Sequence, residues 1–316
     1  MQFSLLASPL STLIFSVFLK DMALSGPIPV IEMTSTMLCY STNDLADELN
    51  PEDYIAHLDV GDMNSLDFLT GKAALSTVRE GVQNQQQLLY GRGIREGVVT
   101  TNAKGLVVEG IGGRVTLPLS SYMEFVRREK PTLVVALAHE VPCGAKSKHT
   151  KTSQVLTERW ADEMKDSTHV AWNTKGQPLL LEVVRCDDSD REGTAEQARS
   201  LVEEGARGLA LGCVGLSGGN DADGGVALCR VVRRAINEVD ASVPIFFPRA
   251  HSLERILGAI QAGASYVSTN LPRTLTDEGM AALFVRGDDV TIGDVDGVDG
   301  DGVSALSAQD VTPSFT

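Results

Sequence analysis

Residues Pro244 to Phe284 read PIFFPRAHSLERILGAIQAGASYVSTNLPRTLTDEGMAALF. The apolar run at 245–247 has the length of a buried strand, and the apolar residues spaced three and four apart over 253–260 predict an amphipathic helix. Ser252 suits the N-cap of that helix, and Gly263 suits the position just past its end. A second strand is predicted at its far side, so the stretch predicts a βαβ unit with a parallel strand pair.

The same alternation of strand and helix extends upstream through the chain. Strands are predicted at 133–138, 179–184, 208–212, 244–247 and 265–269. A doubly wound sheet or a (β/α)8 barrel gives this pattern, and the absence of a nucleotide-binding fingerprint together with the chain length favours the barrel. The expected fold is therefore α/β, a (β/α)8 TIM-type barrel.

Other elements are predicted around this alternation. Residues 98–108 and 113–119 predict short antiparallel strands, which give the barrel an antiparallel N-terminal part. A helix capped by Ser120 or Ser121 is expected to run to Arg128 and to stop before Pro131. Further helices are predicted at the ranges 155–164, 194–204 and 226–239.

The chain divides by composition into three parts. Residues 1–26 form an uncertain extension that lacks the basic start of a signal peptide and is short for a membrane span, so membrane contact is expected to be absent or peripheral. Residues 27–284 hold the predicted barrel. Residues 285–316 are rich in Asp and Gly and predict a flexible acidic tail. Asp294 and Asp296 resemble the start of a calcium loop, but the later ligand positions are not filled.

The charge and the cysteines limit the function classes. The 316 residues carry a formal net charge of -15, which opposes contact with a phosphate backbone. The densest basic cluster, Lys146, Lys148, His149 and Lys151, is modest, so another chain is expected to supply most contacts to any nucleic acid. The five cysteines show no metal-ligand spacing and are expected to be buried free thiols in a reducing compartment.

Polar residues follow the predicted strands, where the sites of parallel barrels lie. His139 and Glu140 follow the first of these strands, Asp187 to Asp190 follow the next, and Ser217 to Asp221 and Ser268 to Arg273 follow later ones. His139 is either a site residue or a satisfied structural histidine. Glu140 is expected to be a surface carboxylate rather than a general base, and the Asp187 to Asp190 cluster a solvated loop.

A series of motifs, in order and spacing, resembles a known family over about residues 28 to 284. The motifs are Leu88-Leu89-Tyr90, Gly-Gly-Arg-Val at 112–115, Tyr122-Met123-Glu124, the run from Lys130 to Pro142, Glu158-Arg159-Trp160-Ala161, the run from Pro248 to Leu257, and 263–266 with Pro272 and Glu278-Gly279. Together they resemble the tRNA-guanine transglycosylases, and within that family the non-catalytic accessory subunits of queuine tRNA-ribosyltransferase.

The resemblance implies a barrel that exchanges guanine in a tRNA anticodon for another base, and it implies which residues matter. The family's nucleophilic Asp corresponds to Ser268 and its purine-recognition Asp to His139. Its acid–base Asp is represented at best by Asp59, and its glycine-rich VQGG loop by 183–186 without the glycines. A hydroxyl is a poor replacement for the nucleophilic carboxylate. We therefore expect no catalytic residue, but a degenerate pocket of Asp59, His139, Glu140 and Ser268.

The resemblance also implies a cofactor and partners. The family carries a zinc site of the CxCxxC…His type, but no cysteine follows Cys229, so the zinc module and its metal ligands are expected to be missing. The expected partner is a catalytic queuine tRNA-ribosyltransferase subunit in a heterodimer that contacts tRNA mainly through that partner. Cytoplasmic location, with association to mitochondria, follows from the family. The alternatives are an active barrel enzyme that uses His139, Glu140 or Asp59 on another nucleoside substrate, and a degenerate remnant that binds nothing.

Overall fold

The computed structural model describes part of the chain, and that part falls into two units. It describes residues 28–32, 55–59, 86–91, 104–110, 113–141, 147–168, 170–212, 224–269, 280–282 and 305–307. One unit comprises residues 25–270, and the other comprises residues 1–24 and 271–316. In the second unit, strands Met280–Ala282 and Ala305–Ser307 pair antiparallel.

Eight parallel strands of the larger unit close into a barrel. In chain order they are β1 (Ile28–Glu32), β2 (Ile55–Asp59), β3 (Gln86–Tyr90), β6 (Leu133–Val135), β7 (Leu179–Arg185), β8 (Leu209–Gly212), β9 (Ile245–Phe247) and β10 (Tyr266–Thr269). They lie in the order β1-β10-β9-β8-β7-β6-β3-β2. This confirms the α/β TIM-type fold, and it places the carboxyl ends of all eight strands at one rim.

One hairpin forms a separate two-stranded sheet that is not part of the barrel. Strands β4 (Leu106–Gly110) and β5 (Gly113–Leu117) pair antiparallel, with Leu106 opposite Leu117 and Gly110 opposite Gly113. The pair agrees with the antiparallel strands expected in this region. Residues 98–103 of the first expected strand lie outside the described residues.

Five helices lie in the described part of the chain, and a helix was expected at each of these places. They are α1 (Leu119–Glu129), α2 (Ser147–Lys165), α3 (Arg191–Glu203), α4 (Gly224–Asn237) and α5 (Leu253–Gln261). Helix α2 begins eight residues before the expected start at residue 155. The additional residues are mostly Lys, Ser and Thr, which carry no apolar periodicity from which the start could be read.

The βαβ unit of β9, α5 and β10 is confirmed with its caps. The Ser252 side chain accepts a hydrogen bond from the backbone N–H of Arg255 at 3.3 Å, which makes it the N-cap. Gly263 follows the helix with φ +92°, a conformation that favours glycine. Tyr266 and Val267 pair in parallel with Phe246 and Phe247.

Two further expected boundaries were wrong. Neither Ser120 nor Ser121 caps α1, because the N-cap is Pro118, whose carbonyl accepts the backbone N–H groups of Ser121 and Tyr122. The restricted φ of proline sets the extended entry to the helix, and no side chain caps it. Strand β6 ends at Val135 instead of residue 138, although 136–138 are buried. A continuous run of apolar residues does not show where a strand ends and a buried loop begins.

The barrel core continues outward under helix α1. Tyr122, Phe125 and Val126 of α1 are buried, as their spacing predicts. The Tyr122 hydroxyl donates a hydrogen bond to the carbonyl of Val135 at 2.7 Å, and burial raises the pKa of Tyr122 well above its ordinary value. This bond ties the helix to the end of β6.

The described cysteines are buried free thiols, as expected. Cys186 and Cys229 form no disulfide, and burial raises the pKa of Cys229 to about 12. The other three cysteines lie outside the described residues. In the part of the chain that the structure describes, no helix is long and apolar enough to cross a membrane.

One arginine, Arg233, binds the loops that lead into β9 and β10. Arg233 of α4 donates to the Gly263 carbonyl from Nε at 3.0 Å and from Nη2 at 2.8 Å. Its Nη1 donates to the carbonyls of Ala241 at 3.2 Å and Val243 at 3.0 Å. The planar guanidinium thus binds two loops at once, which a lysine ammonium cannot reproduce.

We expect Arg233→Lys to destabilise the protein almost as much as Arg233→Ala, by about 1–3 kcal/mol, because carbonyl acceptors lose charged donors. The measurement is urea unfolding followed by circular dichroism. Arg234→Ala is the matched control, since Arg234 is the exposed next residue of the same helix. Equal stability of the Arg233→Lys variant and the wild type would show that the planar guanidinium of Arg233 is not required.

Candidate functional site at the barrel rim

The residues expected at the site lie at the carboxyl rim of the barrel. Asp59 is the last residue of β2, and His139 and Glu140 follow β6. Ser268 lies in β10. In the parallel register Asp59 stands opposite Tyr90 of β3, although the side chain of Asp59 lies outside what the structure describes. Because all these strands run in the same direction, the four residues share one end of the barrel.

A buried ion pair crosses this rim. Nη2 of Arg249 donates to Oε2 of Glu140 at 3.2 Å, and the two side chains are only 1% and 3% exposed. The Tyr90 hydroxyl donates to Oε1 of the same carboxylate at 3.1 Å. The expectation of a surface carboxylate at Glu140 was therefore wrong. The sequence shows no charge partner nearby, because Arg249 follows Glu140 by 109 positions and meets it only through barrel closure.

Arg249 adopts an uncommon backbone conformation to reach this carboxylate. Its φ is +59°, in the left-handed region that a residue with a long side chain seldom occupies. The next residue, Ala250, donates its backbone N–H to the carbonyl of Ser268 at 2.8 Å, which fixes the loop against β10. The packing around the rim thus determines the direction of the guanidinium.

Aromatic rings complete the surroundings of the ion pair. The Arg249 guanidinium carbon lies 5.8 Å from the centre of the Tyr90 ring, within cation–π range. The Tyr90 and Phe246 rings meet edge to face, with centroids 5.9 Å apart. Strands β3 and β9 lie on opposite sides of the barrel, so these contacts span its interior.

The chemistry open to Glu140 follows from these contacts. Each oxygen of its carboxylate accepts a hydrogen bond from a protein donor, one from Tyr90 and one from Arg249. A charge taken out of water is tolerated when such partners satisfy it. The Glu140 carboxylate therefore stabilises the rim through these two contacts.

His139 and Ser268 are both built into the barrel wall. The backbone N–H of His139 donates to Oγ1 of Thr157 at 3.0 Å, and its carbonyl accepts from the Ser153 hydroxyl, so α2 anchors this residue. Ser268 is fully buried, and its carbonyl is taken by Ala250. No solvent reaches the Ser268 hydroxyl in this arrangement.

The structure thus holds Glu140 at the rim through two residues that were not expected there, Tyr90 and Arg249. Tyr90 and Arg249 were quoted in motifs, but they were not assigned to the pocket. Both stand at the end of a buried strand, which is the available signal. Which residues pair across a closed barrel cannot be read from local pattern, because the partners lie far apart in sequence.

The remaining polar loops carry no metal site that the structure describes. Asp190 caps α3 by accepting from the backbone N–H of Gly193 at 2.9 Å, and Asp188 pairs with Arg191 at 2.6 Å in an exposed turn. The solvated-loop interpretation is therefore confirmed. The loops 217–221 and 270–273 lie outside the described residues.

The zinc site that the resemblance implies does not fit this chain. No cysteine follows Cys229, so the CxCxxC ligands are missing from the sequence beyond the barrel. Among the residues that the structure describes, no group of three or more His, Cys, Asp or Glu side chains could hold a metal ion. No chemical step is therefore assigned to zinc.

A comparison with protein families found one family that matches this chain. The family model described as queuine tRNA-ribosyltransferase matches residues 82–297, which is more than half of the chain. The match includes Tyr90, Glu140, Arg249 and Ser268. A comparison with curated proteins found no match.

We expect Arg249→Met to destabilise the protein by about 3–5 kcal/mol, because the buried Glu140 carboxylate loses its counter-charge. The double variant Arg249→Met/Glu140→Leu should be closer to the wild type than Arg249→Met, since no unpaired charge remains. Tyr90→Phe should cost only about 0.5–1.5 kcal/mol, for one hydrogen bond. Urea unfolding of the wild type, Arg249→Met, Glu140→Leu and the double variant gives the coupling energy directly. Additive effects of the single changes would show that the pair is not coupled.

Proposed function

We propose, since the chain belongs to the queuine tRNA-ribosyltransferase family, that it serves as the non-catalytic accessory subunit of a heterodimeric enzyme of this family. In this proposal the partner subunit performs the exchange of guanine for queuine in the tRNA anticodon. The chain described here supports its partner without taking part in the chemistry. The observation that carries the proposal is that Ser268 stands where the resemblance places the nucleophilic Asp.

Ser268 stands at that position, and its chemistry is unsuited to the role. A covalent attack on a ribose carbon needs a carboxylate that can form an ester and stabilise an oxocarbenium-like centre. A serine hydroxyl needs a general base beside it to become nucleophilic. The complete burial of Ser268 within β10 supports the same conclusion, because a substrate has no access to it from solvent.

The ion pair of Glu140 and Arg249 provides independent support. It brings protein groups from β3, β6 and β9 together at the rim, where a base would otherwise enter a barrel site. These side chains bind one another and so stabilise the rim. A rim stabilised in this way is suited to a rigid partner.

The electrostatics of the whole chain favour a division of labour. A formal net charge of -15 opposes the approach of tRNA, whose backbone carries one negative charge at every phosphate. We therefore propose that the partner supplies most of the phosphate contacts. Cytoplasmic location, with association to mitochondria, belongs to the same proposal.

The alternative function is an active barrel enzyme that uses His139, Glu140 or Asp59 on another nucleoside. The proximity of these residues at one rim is the observation in its favour. The engagement of both Glu140 oxygens counts against a general base there. Activity of the chain alone distinguishes the two functions.

We expect the chain alone to be inactive in the exchange of labelled guanine into tRNA, and the complex with a catalytic subunit of the family to be active. The experiment is co-expression with that subunit, affinity isolation through a tag on the present chain, and an exchange assay. The catalytic subunit expressed alone is the control. Full activity of the isolated chain, or failure of the two chains to copurify, would refute the accessory role.

We also expect Ser268→Ala to leave the exchange rate of the complex unchanged, because no bond is formed to the Ser268 oxygen. The matched control is Thr269→Ala, the next buried residue of the same strand, which tests the effect of shortening a side chain at this depth. Thermal melting of each variant shows whether it is folded. Loss of exchange with Ser268→Ala, but not with Thr269→Ala, would restore a chemical role to Ser268.

A further inference from the structure

Arg185, the last residue of β7, faces the interior of the barrel at its mouth, the open carboxyl end. Val183 is in register with Ala210, and Ala210 with Phe246, whose aromatic contact spans the interior. Side chains alternate along a strand, so Arg185, two positions after Val183, faces the same side. The barrel mouth therefore holds a cation whose side chain is half-buried.

The backbone of Arg185 is held in place, whereas its guanidinium is not bound by protein groups. The backbone N–H donates to Oε1 of Gln197 at 3.0 Å, and the carbonyl accepts from the Thr194 hydroxyl at 3.4 Å, so α3 fixes the residue. Its register partner on β8 is Gly212, which places no side chain beside it. In the part of the chain that the structure describes, the guanidinium makes no hydrogen bond and no ion pair.

The carboxylates that follow Arg185 in the chain do not compensate its charge. Oδ1 of Asp187 accepts a hydrogen bond from the Ser189 hydroxyl at 2.6 Å, and Asp188 pairs with Arg191 at 2.6 Å. A cation that is partly withdrawn from water is destabilising unless an anion compensates it. Since no described carboxylate does so, an anionic ligand is the group that Arg185 is suited to bind.

The first turns of α2 add basic side chains beside the mouth. The Ser153 hydroxyl donates to the carbonyl of His139, so this part of α2 lies level with the rim. The helix after a barrel strand runs back towards the amino end, so residues 147–152 lie beyond this level, on the side of the mouth. Lys148 and Lys151 are exposed there, and the first turn holds no acidic residue.

We propose that Arg185, Lys148 and Lys151 bind the phosphate backbone of RNA at the barrel mouth, and we call these three residues the rim patch. The planar guanidinium of Arg185 matches a phosphate group with two parallel hydrogen bonds, and the lysines act as point charges on neighbouring phosphates. The inference rests on the proposed function, because the family match supplies tRNA as the expected substrate of the complex. It identifies the smaller share of phosphate contacts that this chain makes by itself.

The two parts of the rim patch belong to elements that pack together. Helix α2 contacts β7 through the ion pair of Lys165 and Glu182 at 3.2 Å. The lysines of the patch and Arg185 therefore lie on the same side of the barrel. An extended row of phosphates can contact α2 and also reach Arg185 at the mouth, which a single small anion cannot do. This arrangement favours a nucleic-acid backbone over a free phosphate ion.

The expected binding is weak and depends on salt. The net charge of -15 repels RNA at long range, and salt shortens that range to about 10 Å at 0.1 M. Local contacts then remain. With about three phosphates neutralised, the logarithm of Kd should rise with the logarithm of salt concentration with a slope of about 2.

The test is fluorescence anisotropy of a labelled RNA stem–loop titrated with the full chain at several salt concentrations. Arg185→Gln and Lys148→Gln/Lys151→Gln should each weaken binding about tenfold, because charged donors to phosphate are lost. Each contact removed should lower the salt slope by about 0.7. Arg185→Lys should keep part of the affinity, since the charge remains and the second hydrogen bond is lost.

Lys175→Gln/Arg207→Gln is the matched control, because it removes two exposed cations from loops at the amino end of the barrel. It should leave RNA binding close to that of the wild type. Thermal melting followed by circular dichroism shows whether each variant is folded.

RNA binding that the rim-patch variants leave at the wild-type affinity would overturn the proposal, and so would a wild type that binds no RNA. Inorganic phosphate is the second probe. If it raises the melting temperature of the wild type but not of Arg185→Gln, while RNA does not bind, Arg185 takes a small anion and the RNA assignment is wrong. Loss of RNA binding contradicts only this inference, whereas failure to copurify with the catalytic subunit contradicts the accessory role.

Discussion

The barrel rim depends on one constraint, which is that Glu140 and Arg249 lie in the interior and must therefore meet. A charged group removed from water costs several kcal/mol unless a partner of opposite charge and further hydrogen bonds compensate it. Arg249 supplies the charge at 3.2 Å, and Tyr90 supplies the additional donor. The left-handed backbone at Arg249 is the local cost of directing the guanidinium inward.

Each end of the barrel uses an arginine in a different way. At the amino ends, Arg233 binds the carbonyl groups of two loops and so holds α4 to the entrances of β9 and β10. At the carboxyl ends, Arg249 pairs with a carboxylate across the interior. Parallel barrels separate stability from chemistry between these two ends. Here the carboxyl end also contributes to stability, because its charged groups form an ion pair with one another.

The chain belongs to the queuine tRNA-ribosyltransferase family, and the charged groups at its barrel rim bind one another. The family match at residues 82–297 includes β3 and the strands from β6 to β10. Ser268, which the resemblance places at the position of the nucleophile, is buried within β10. The charged groups at the rim therefore stabilise the barrel by binding one another.

The local pattern of the sequence was sufficient for the barrel and for most of its helices. The period of the apolar residues, the Ser252 cap and the glycine at 263 depend on neighbours a few positions away, so the sequence by itself determines them. The same holds for the placement of Asp59, His139, Glu140 and Ser268 at strand ends, since parallel strands share their direction. Local pattern misplaced the start of α1 and the end of β6, where proline geometry and burial decide.

Only the tertiary structure decided the role of these residues. Glu140 was expected at the surface, and closure of the barrel brought it to Arg249 and Tyr90, which are 109 and 50 positions away. A contact at such a separation depends on the strand order and on the tilt of the strands, and neither leaves a mark on the local sequence. The sequence by itself therefore determined where the rim lies, and the closed barrel decided that its charges stabilise one another, because a buried charge must find its partner in three dimensions.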